Sequence, residues 1–162
     1  RTMSFDEEMM QLALGEAAKA AAMGEVPVGA ILTIGDRVIA RAHNTTETDT
    51  FPLAHAELVA LTRAFESVGT KRIAGMSLYV TLEPCLMCSG AIVLARVERV
   101  IYGCRDPKAG ACTSLYSTLS DPRLNHRCEV TEGVLGAECS LILQEFFKTL
   151  RQAKKKKGSD IG

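Results

Sequence analysis

The sequence predicts an α/β protein in which helices pack on a mostly mixed β-sheet. Segments with apolar residues at helical spacing alternate along the chain with short apolar runs of strand length. The 162 residues are 47% hydrophobic and 23% charged, which suits a folded domain and excludes a wholly disordered chain. We therefore expect one domain over residues 1–162, folded over 3–152, with a basic and flexible tail over 153–162.

The first elements along the chain are a helix and a β-hairpin. Residues 5–23 have a helical apolar pattern, and Ser4 followed three positions later by Glu7 forms a capping-box pattern. The apolar runs 28–34 and 37–42 then flank a Gly-Asp pair, which is typical of a hairpin turn. The N-terminal part of the chain is thus predicted to contribute one helix and two antiparallel strands.

The remaining segments show the same helical spacing and the same short apolar runs of strand length. Apolar residues recur every three or four positions in the helical segments, and polar or glycine-rich stretches separate these segments from short strands. In chain order the sequence predicts a loop over 43–53, a helix over 54–67, a strand over 77–82, a helix over 85–96, a strand over 99–103, a loop over 106–121, a strand over 129–134 and a helix over 136–152.

The sequence predicts neither a membrane partner nor a disulfide framework. Its apolar runs fall short of the roughly 18 to 20 residues that a membrane-spanning helix needs. No secretory signal is visible, so the six cysteines are expected to be reduced thiols in a cytoplasmic protein. Four cysteines without a close partner in sequence are predicted to be small, buried or half-buried side chains: Cys104, Cys112, Cys128 and Cys139.

The charge is balanced overall but uneven along the chain. The 19 basic and 19 acidic residues cancel, yet residues 148–162 contain six of the basic residues and one of the acidic ones. Such a basic end favours attachment to phosphate. A solvated end without a partner also explains the charge, and the composition leaves both interpretations open.

Two short motifs at predicted helix starts carry the chemistry. His55 and Glu57 form an HxE motif, and Pro84 precedes Cys85 and Cys88 in a PCxxC motif. One histidine and two cysteines hold zinc with a fourth position open to water, which is the arrangement of a catalytic site. Zinc lowers the pKa of its water toward about 7. Glu57 is the candidate general acid and base that moves the protons.

Simpler interpretations of the CxxC pair are a redox pair and half of a structural zinc site. A redox pair needs no histidine or glutamate and leaves His55 and Glu57 unexplained. A structural site would need Cys104 or His43 as its fourth ligand, and neither has a paired spacing. The two motifs together therefore favour a catalytic zinc centre.

Longer stretches extend these motifs into a family resemblance. The chain resembles the bacterial tRNA adenosine deaminases, among the zinc nucleobase and nucleoside deaminases, over roughly residues 5–151. The stretches that carry the resemblance are EVPVGA at 25–30, Asn44 after His43, the HxE motif, LEPCLMCSGA at 82–91, RDPKAGA at 105–111, RLNHR at 123–127 and FFKTLR at 146–151.

This resemblance implies a fold, a reaction and an assembly. The fold is a three-layer α/β/α cytidine-deaminase-like domain around a mixed five-stranded sheet. The reaction is hydrolytic deamination of adenosine to inosine at the wobble position of a tRNA anticodon, with an arginine tRNA as the expected substrate. The assembly is a homodimer with one zinc per subunit and no organic cofactor. The apolar run over 91–95, which exceeds what one helix face buries, agrees with a dimer.

Carried over by position, the resemblance also assigns residues. His55, Cys85 and Cys88 become the zinc ligands, and Glu57 becomes the proton shuttle. Asn44 would contact the flipped base or its ribose, with an ordinary turn residue as the alternative. The residues assigned to RNA contact, with ordinary surface roles as the alternative, are Asp106, Lys108, Phe147 and Arg151.

Two other functions stay open at the level of sequence. One is an enzyme with the same zinc site that acts on a free base or nucleoside such as guanine or cytosine. The other is a zinc-stabilised RNA-binding module without turnover. The basic end of the chain argues against the first, since a small neutral base needs no phosphate contacts. Glu57 argues against the second, since a structural site has no use for a carboxylate beside its water.

Overall fold

The computed structural model describes residues 2–160. Over these residues the chain forms four α-helices, one short 3₁₀-helix and five strands. The bounds are α1 Phe5–Ala22, β1 Gly29–Ile34, β2 Arg37–His43, α2 Ala56–Val68, β3 Met76–Leu82, α3 Leu86–Leu94, β4 Arg99–Cys104, a 3₁₀-helix Thr118–Ser120, β5 Glu129–Glu132 and α4 Gly136–Asp160.

The five strands form one mixed sheet in the order β2-β1-β3-β4-β5. The hairpin β1–β2 is antiparallel, with Gly35 in its turn at a φ of 59°. Strand β1 also pairs antiparallel with β3, where Ala30 lies opposite Val80. The β3–β4 and β4–β5 pairs are parallel. The predicted α/β class with a mixed sheet is therefore confirmed.

Helices cover both faces of the sheet. Successive side chains of a strand point to opposite faces, so Ile31, Tyr79 and Ile101 share one face and pack with α1 and the start of α4. Their neighbours in the strands, among them Leu78 and Val100, pack with α2 and α3 on the other face. The result is the three-layer α/β/α arrangement that the family resemblance implies.

The first helix begins as its sequence pattern predicts. The backbone N–H of Glu7 donates to Ser4 Oγ at 3.1 Å, and the N–H of Ser4 donates to Glu7 Oε1 at 3.2 Å. This reciprocal capping box satisfies two donors that the first turn of a helix leaves unpaired.

The two helices that follow the HxE and PCxxC motifs begin later than predicted. His55 and Cys85 have extended backbones, with ψ of 150° and 177°, and act as N-cap residues of α2 and α3. The helices therefore start at Ala56 and Leu86. The prediction that the backbone of Cys85 is helical was wrong, because the residue completes the turn out of β3 before the helix begins.

The last helix ends later than predicted. Helix α4 continues to Asp160, whereas the pattern of apolar residues predicted an end at 152. Alanine, glutamine and lysine all have high helix propensity, so the exposed residues 152–157 continue the helix. None of the helices within residues 2–160 combines the length and apolar character that crossing a membrane requires.

Candidate active site

The HxE and PCxxC motifs meet where α2 and α3 begin. His55 Nδ1 lies 3.6 Å from the Sγ atom of Cys85 and 3.5 Å from that of Cys88. The three possible ligand atoms all lie within 4.8 Å of one another, and among the described residues they form a cluster that could hold a metal ion. Residues that lie 30 and 33 positions apart in sequence are thus gathered in one place.

The two thiols of this cluster differ in their affinity for protons. The hydrogen bond with Cys88 lowers the pKa of Cys85 to about 4, and the nearby His55 acts in the same direction. The same hydrogen bond, together with burial, raises the pKa of Cys88. The pair therefore shares one proton near neutral pH, and a cation that displaced this proton would be bound by two thiolates.

Glu57 lies beside the cluster and is almost fully buried, with 4% of its surface exposed. Burial raises the pKa of Glu57 to about 7, although the charge of His55 pulls it in the opposite direction. A carboxyl group whose pKa lies near neutral pH exchanges protons readily with a bound reactant. Its position in the first turn of α2 directs it to the same space as the three candidate ligands.

A cavity of about 260 Å³ opens above these residues. Apolar walls come from Val26, Val28 and Leu82, and polar groups come from the cluster and from Asn44. The Oδ1 atom of Asn44 accepts a hydrogen bond of 2.8 Å from the backbone N–H of Ala56. This bond holds the start of α2 and leaves the amide nitrogen of Asn44 for a ligand.

A wider groove of about 640 Å³ continues from the cavity toward α4. Asp106 lines both spaces and so marks their junction. Lys108, Phe147 and Arg151 line the groove, and Phe147 keeps 40% of its surface exposed. The structure thus brings all four residues that were assigned to RNA contact to one continuous depression.

Glu83, for which the motifs predict no role, is 2% exposed beside the site. Its carboxylate accepts hydrogen bonds from the backbone N–H groups of Asp106, Cys112, Thr113 and Ser114 and from the Ser114 hydroxyl. Burial by itself raises the pKa of Glu83, but these donors outweigh burial and lower the pKa below its usual value. The carboxylate is therefore ionised and holds the loop that carries Asp106.

Glu25 holds another loop beside the cavity, at residues 46–48, in the same way. Its fully buried carboxylate accepts from the backbone N–H groups of Glu47 and Thr48 at 3.0 and 2.7 Å. The hydroxyls of Thr46 and Thr48 add two more hydrogen bonds. Both buried carboxylates lie in stretches that carry the family resemblance, and this was the available signal for them.

The other cysteines have the predicted environment. Cys112, Cys128 and Cys139 are buried, and Cys104 is half-buried. Burial raises the pKa of Cys104 and Cys128 to about 11, so these thiols stay protonated at neutral pH.

Fold and site together define a deaminase. The family model of the MafB19-like deaminases matches residues 4–151, which is nearly the whole chain. The match agrees with the α/β/α layers and with a His/Cys/Cys cluster beside a buried glutamate.

Similar proteins indicate the family within the deaminases to which the chain belongs. A tRNA-specific adenosine deaminase of Bacillus subtilis is 50% identical over 153 residues, which cover 94% of this chain and 95% of that protein. One of Haemophilus influenzae is 45% identical over 93% of this chain and 88% of that protein. A solved structure from studies of A-to-I editing by tRNA:A34 deaminases superposes with a TM-score of 0.81 and 44% identity over 84% of this chain and 99% of that one. The chain belongs to the family of tRNA-specific adenosine deaminases.

Proposed function

We propose that this protein converts adenosine to inosine at the wobble position of a tRNA anticodon, with an arginine tRNA as the expected substrate. The observation that carries the proposal is the meeting of His55, Cys85, Cys88 and Glu57 at a cavity that opens into a groove with basic residues. The family match over 4–151 supports one deaminase domain. A cytoplasmic location goes with this proposal, since tRNA and reduced thiols are both found there.

The donor set fits zinc. Zinc bound with S and N bonds of about 2.3 and 2.0 Å in a tetrahedral arrangement would separate sulfur from nitrogen by about 3.5 Å. The measured separations from His55 Nδ1 to the two sulfurs are 3.6 and 3.5 Å. We propose His55, Cys85 and Cys88 as the ligands, one zinc per subunit. Bound zinc would supply a water whose pKa is lowered toward neutrality.

Glu57 is proposed to move the protons of the reaction. Hydrolysis adds the oxygen of water to C6 of the purine and releases the amino group as ammonia. The Glu57 carboxylate accepts a proton from the attacking water and donates it to N1 of the base. It then moves a second proton to the departing nitrogen. A carboxyl group with a pKa of about 7 suits both directions of transfer.

The cavity is proposed to hold the base after it leaves the stack. Val26, Val28 and Leu82 offer apolar contacts for the faces of a purine, and the Asn44 amide nitrogen offers a donor. The groove would hold the neighbouring nucleotides, with Lys108 and Arg151 near phosphates and Phe147 available for stacking. Asp106, at the junction, would lie where the flipped nucleotide enters.

Because the end of α4 is helical, the contribution of each lysine to tRNA affinity should depend on the helix face that carries it. Lys154 and Lys155 follow Arg151 by three and four positions, so they lie on the helix face that borders the groove. Lys156 and Lys157 lie on other faces. We expect the variant Lys154→Ala with Lys155→Ala to raise the Kd for tRNA about three- to ten-fold and to flatten its salt dependence. Filter binding at several salt concentrations measures both.

The matched control is Lys156→Ala with Lys157→Ala, which removes the same charge. It should change the Kd and the salt slope less than the first pair. Deletion of residues 152–162 should weaken binding and leave the turnover of bound RNA largely intact. If the deletion changes neither the Kd nor the salt slope, the basic end is only solvated.

The homodimer is proposed from exposed apolar side chains on α3 and on the loop before α2. Leu94 is 77% exposed, and Leu86 and Phe51 also expose more than half of their surface. A second copy of the chain would cover such a patch. We expect Leu94→Glu to shift the mass measured by light scattering from the dimer toward the 17.5 kDa monomer. The control Leu141→Glu, at an exposed position on α4, should leave the mass unchanged. A wild-type protein that is monomeric at micromolar concentration contradicts the dimer.

A substrate panel separates the proposed function from its alternatives. The panel holds an anticodon stem-loop with adenosine at the wobble position, the same stem-loop with that adenosine moved by two positions, and free adenosine, guanine and cytosine. We expect rapid ammonia release from the first substrate alone. Turnover of free guanine or cytosine at a comparable rate would support the free-base enzyme, and binding of RNA without any turnover would support the binding module.

A further inference from the structure

Glu83 connects the candidate metal cluster to the loop that borders the substrate groove. It lies two residues before Cys85, lines the cavity beside the cluster, and its carboxylate accepts hydrogen bonds from the segment 106–114. Its Oε1 atom accepts the N–H of Asp106 at 3.0 Å and the hydroxyl of Ser114 at 2.5 Å. Its Oε2 atom accepts three further backbone N–H groups, from Cys112, Thr113 and Ser114, at 2.9 to 3.1 Å.

Two further contacts tie the same loop to the turn that holds Cys85. The N–H of Ala111 donates to the carbonyl of Pro84 at 2.9 Å, and Cys85 forms an isolated β-bridge with Gly110. Gly110 packs so closely that a β-carbon there would overlap the Glu83 carboxylate. The hydrogen bonds to Glu83 and to the Pro84 carbonyl therefore leave the loop little freedom to move relative to Cys85.

The loop in turn fixes the residues at the junction of cavity and groove. Asp106 Oδ1 accepts the N–H groups of Lys108 and Ala109 at 3.1 and 3.2 Å. The backbone of Asp106 is thus held by Glu83, and its side chain holds the start of the segment that carries Lys108. A displacement of the Asp106 backbone would move two of the groups that line the substrate groove.

We propose that Glu83 is a positioning residue that sets Asp106 and Lys108 at a fixed distance from the metal cluster, so that RNA bound in the groove presents its base to the cavity. Glu83 lines the cavity but not the groove, so its effect on RNA bound in the groove is assigned to its hydrogen bond with Asp106. The inference rests on the proposed function, because it concerns the binding of RNA at this site.

The variant Glu83→Gln tests the contact with Asp106 selectively. The Gln carbonyl oxygen can replace Oε2 and keep three backbone hydrogen bonds, while its amide nitrogen can donate to Ser114 Oγ. The N–H of Asp106 then faces a donor and loses its acceptor. Because hydrogen bonds to charged groups are among the stronger ones, we expect about a ten-fold rise in KM for the stem-loop, with kcat within about three-fold of wild type and zinc content unchanged.

A double-mutant cycle shows whether Glu83 acts through Asp106. Asp106→Ala alone should raise KM, and addition of Glu83→Gln to it should raise KM little further. The matched control is Glu25→Gln, which changes the buried carboxylate that holds the loop at 47–48. Its effect on KM should multiply with that of Asp106→Ala. Gly110→Ala, which displaces the Glu83 carboxylate without removing a donor, should repeat the cycle of Glu83→Gln if that variant folds poorly.

The outcomes separate this inference from the proposed function. A wild-type protein that does not deaminate the stem-loop contradicts the proposed function. An active wild type whose Glu83→Gln variant keeps its KM, or whose two effects multiply in the cycle with Asp106→Ala, overturns the role of Glu83. Equal losses of zinc and kcat in the Glu83→Gln and Gly110→Ala variants, without a change in KM, also overturn it, since they mean that Glu83 only supports the metal cluster.

Discussion

Replacement of Glu57 by alanine is expected to lower kcat by about 10²- to 10⁴-fold, the range that general acid and base catalysis contributes. Glu57 and Glu83 are both buried and line the cavity, but the Glu83 carboxylate accepts hydrogen bonds from the loop at 106–114, whereas Glu57 lies beside the His/Cys/Cys cluster with a pKa of about 7. Its loss should leave KM for the stem-loop almost unchanged, because the groove contacts remain. Single-turnover deamination of a labelled stem-loop measures the chemical step directly.

Two measurements show whether the loss of activity comes from lost zinc or from a lost fold. The Glu57→Ala protein should contain as much zinc as the wild type and unfold at a similar or higher temperature, since removal of a carboxylate from a buried position relieves a desolvation cost. The control Glu8→Ala, at an exposed position on α1, should keep full activity. Deamination by Glu57→Ala at close to the wild-type rate would show that another group moves the protons.

Removal of the metal is expected to abolish activity and to lower the thermal unfolding temperature. His55, Cys85 and Cys88 come from two separate helix starts, so the ion would join α2 to α3. An ion that binds only the folded state stabilises that state. Prolonged dialysis against a chelator should give an inactive protein, and addition of zinc should restore both properties.

The variant Cys88→Ser tests the same centre without a chelator. Serine is a weaker zinc ligand than cysteine. Because residue 88 has no solvent exposure, a water molecule cannot take the place of the lost sulfur. We expect well under one equivalent of zinc and no measurable turnover. The control Cys104→Ser, at a half-buried thiol outside the cluster, should keep its zinc and its activity. Full activity in the chelated protein would contradict a metal centre.

The sequence was most informative where the chemistry depends on neighbours in the chain. The HxE and PCxxC motifs each lie within five residues, and each is placed at a helix start by the preceding strand or loop. The four helices followed from the spacing of their apolar residues, and the strands followed from short apolar runs bounded by polar or glycine-rich stretches. The structure brings the predicted ligands together for these reasons.

The sequence was less informative where the structure depends on distant segments. The donors to Glu83 lie 23 to 31 positions away, and those to Glu25 lie 21 to 23 positions away. No local pattern shows which buried glutamate will meet a loop, because the contact exists only after the sheet has formed. The helical end of α4 was missed for the opposite reason. Residues 152–157 are polar apart from one alanine, so no apolar period marks a helix there, and it is their intrinsic propensity that favours one.

Sequencing of tRNA after incubation with the protein shows whether it deaminates adenosine at the wobble position. Unmodified arginine tRNA with adenosine at the wobble position is incubated with the zinc-loaded protein, copied into complementary DNA and sequenced, with Glu57→Ala as the parallel control. Inosine is read as guanosine, so we expect a change from A to G at the wobble position alone with the wild type and no change with Glu57→Ala. An unchanged wobble position after complete incubation with zinc-loaded wild type, or the same change with Glu57→Ala, would contradict the account.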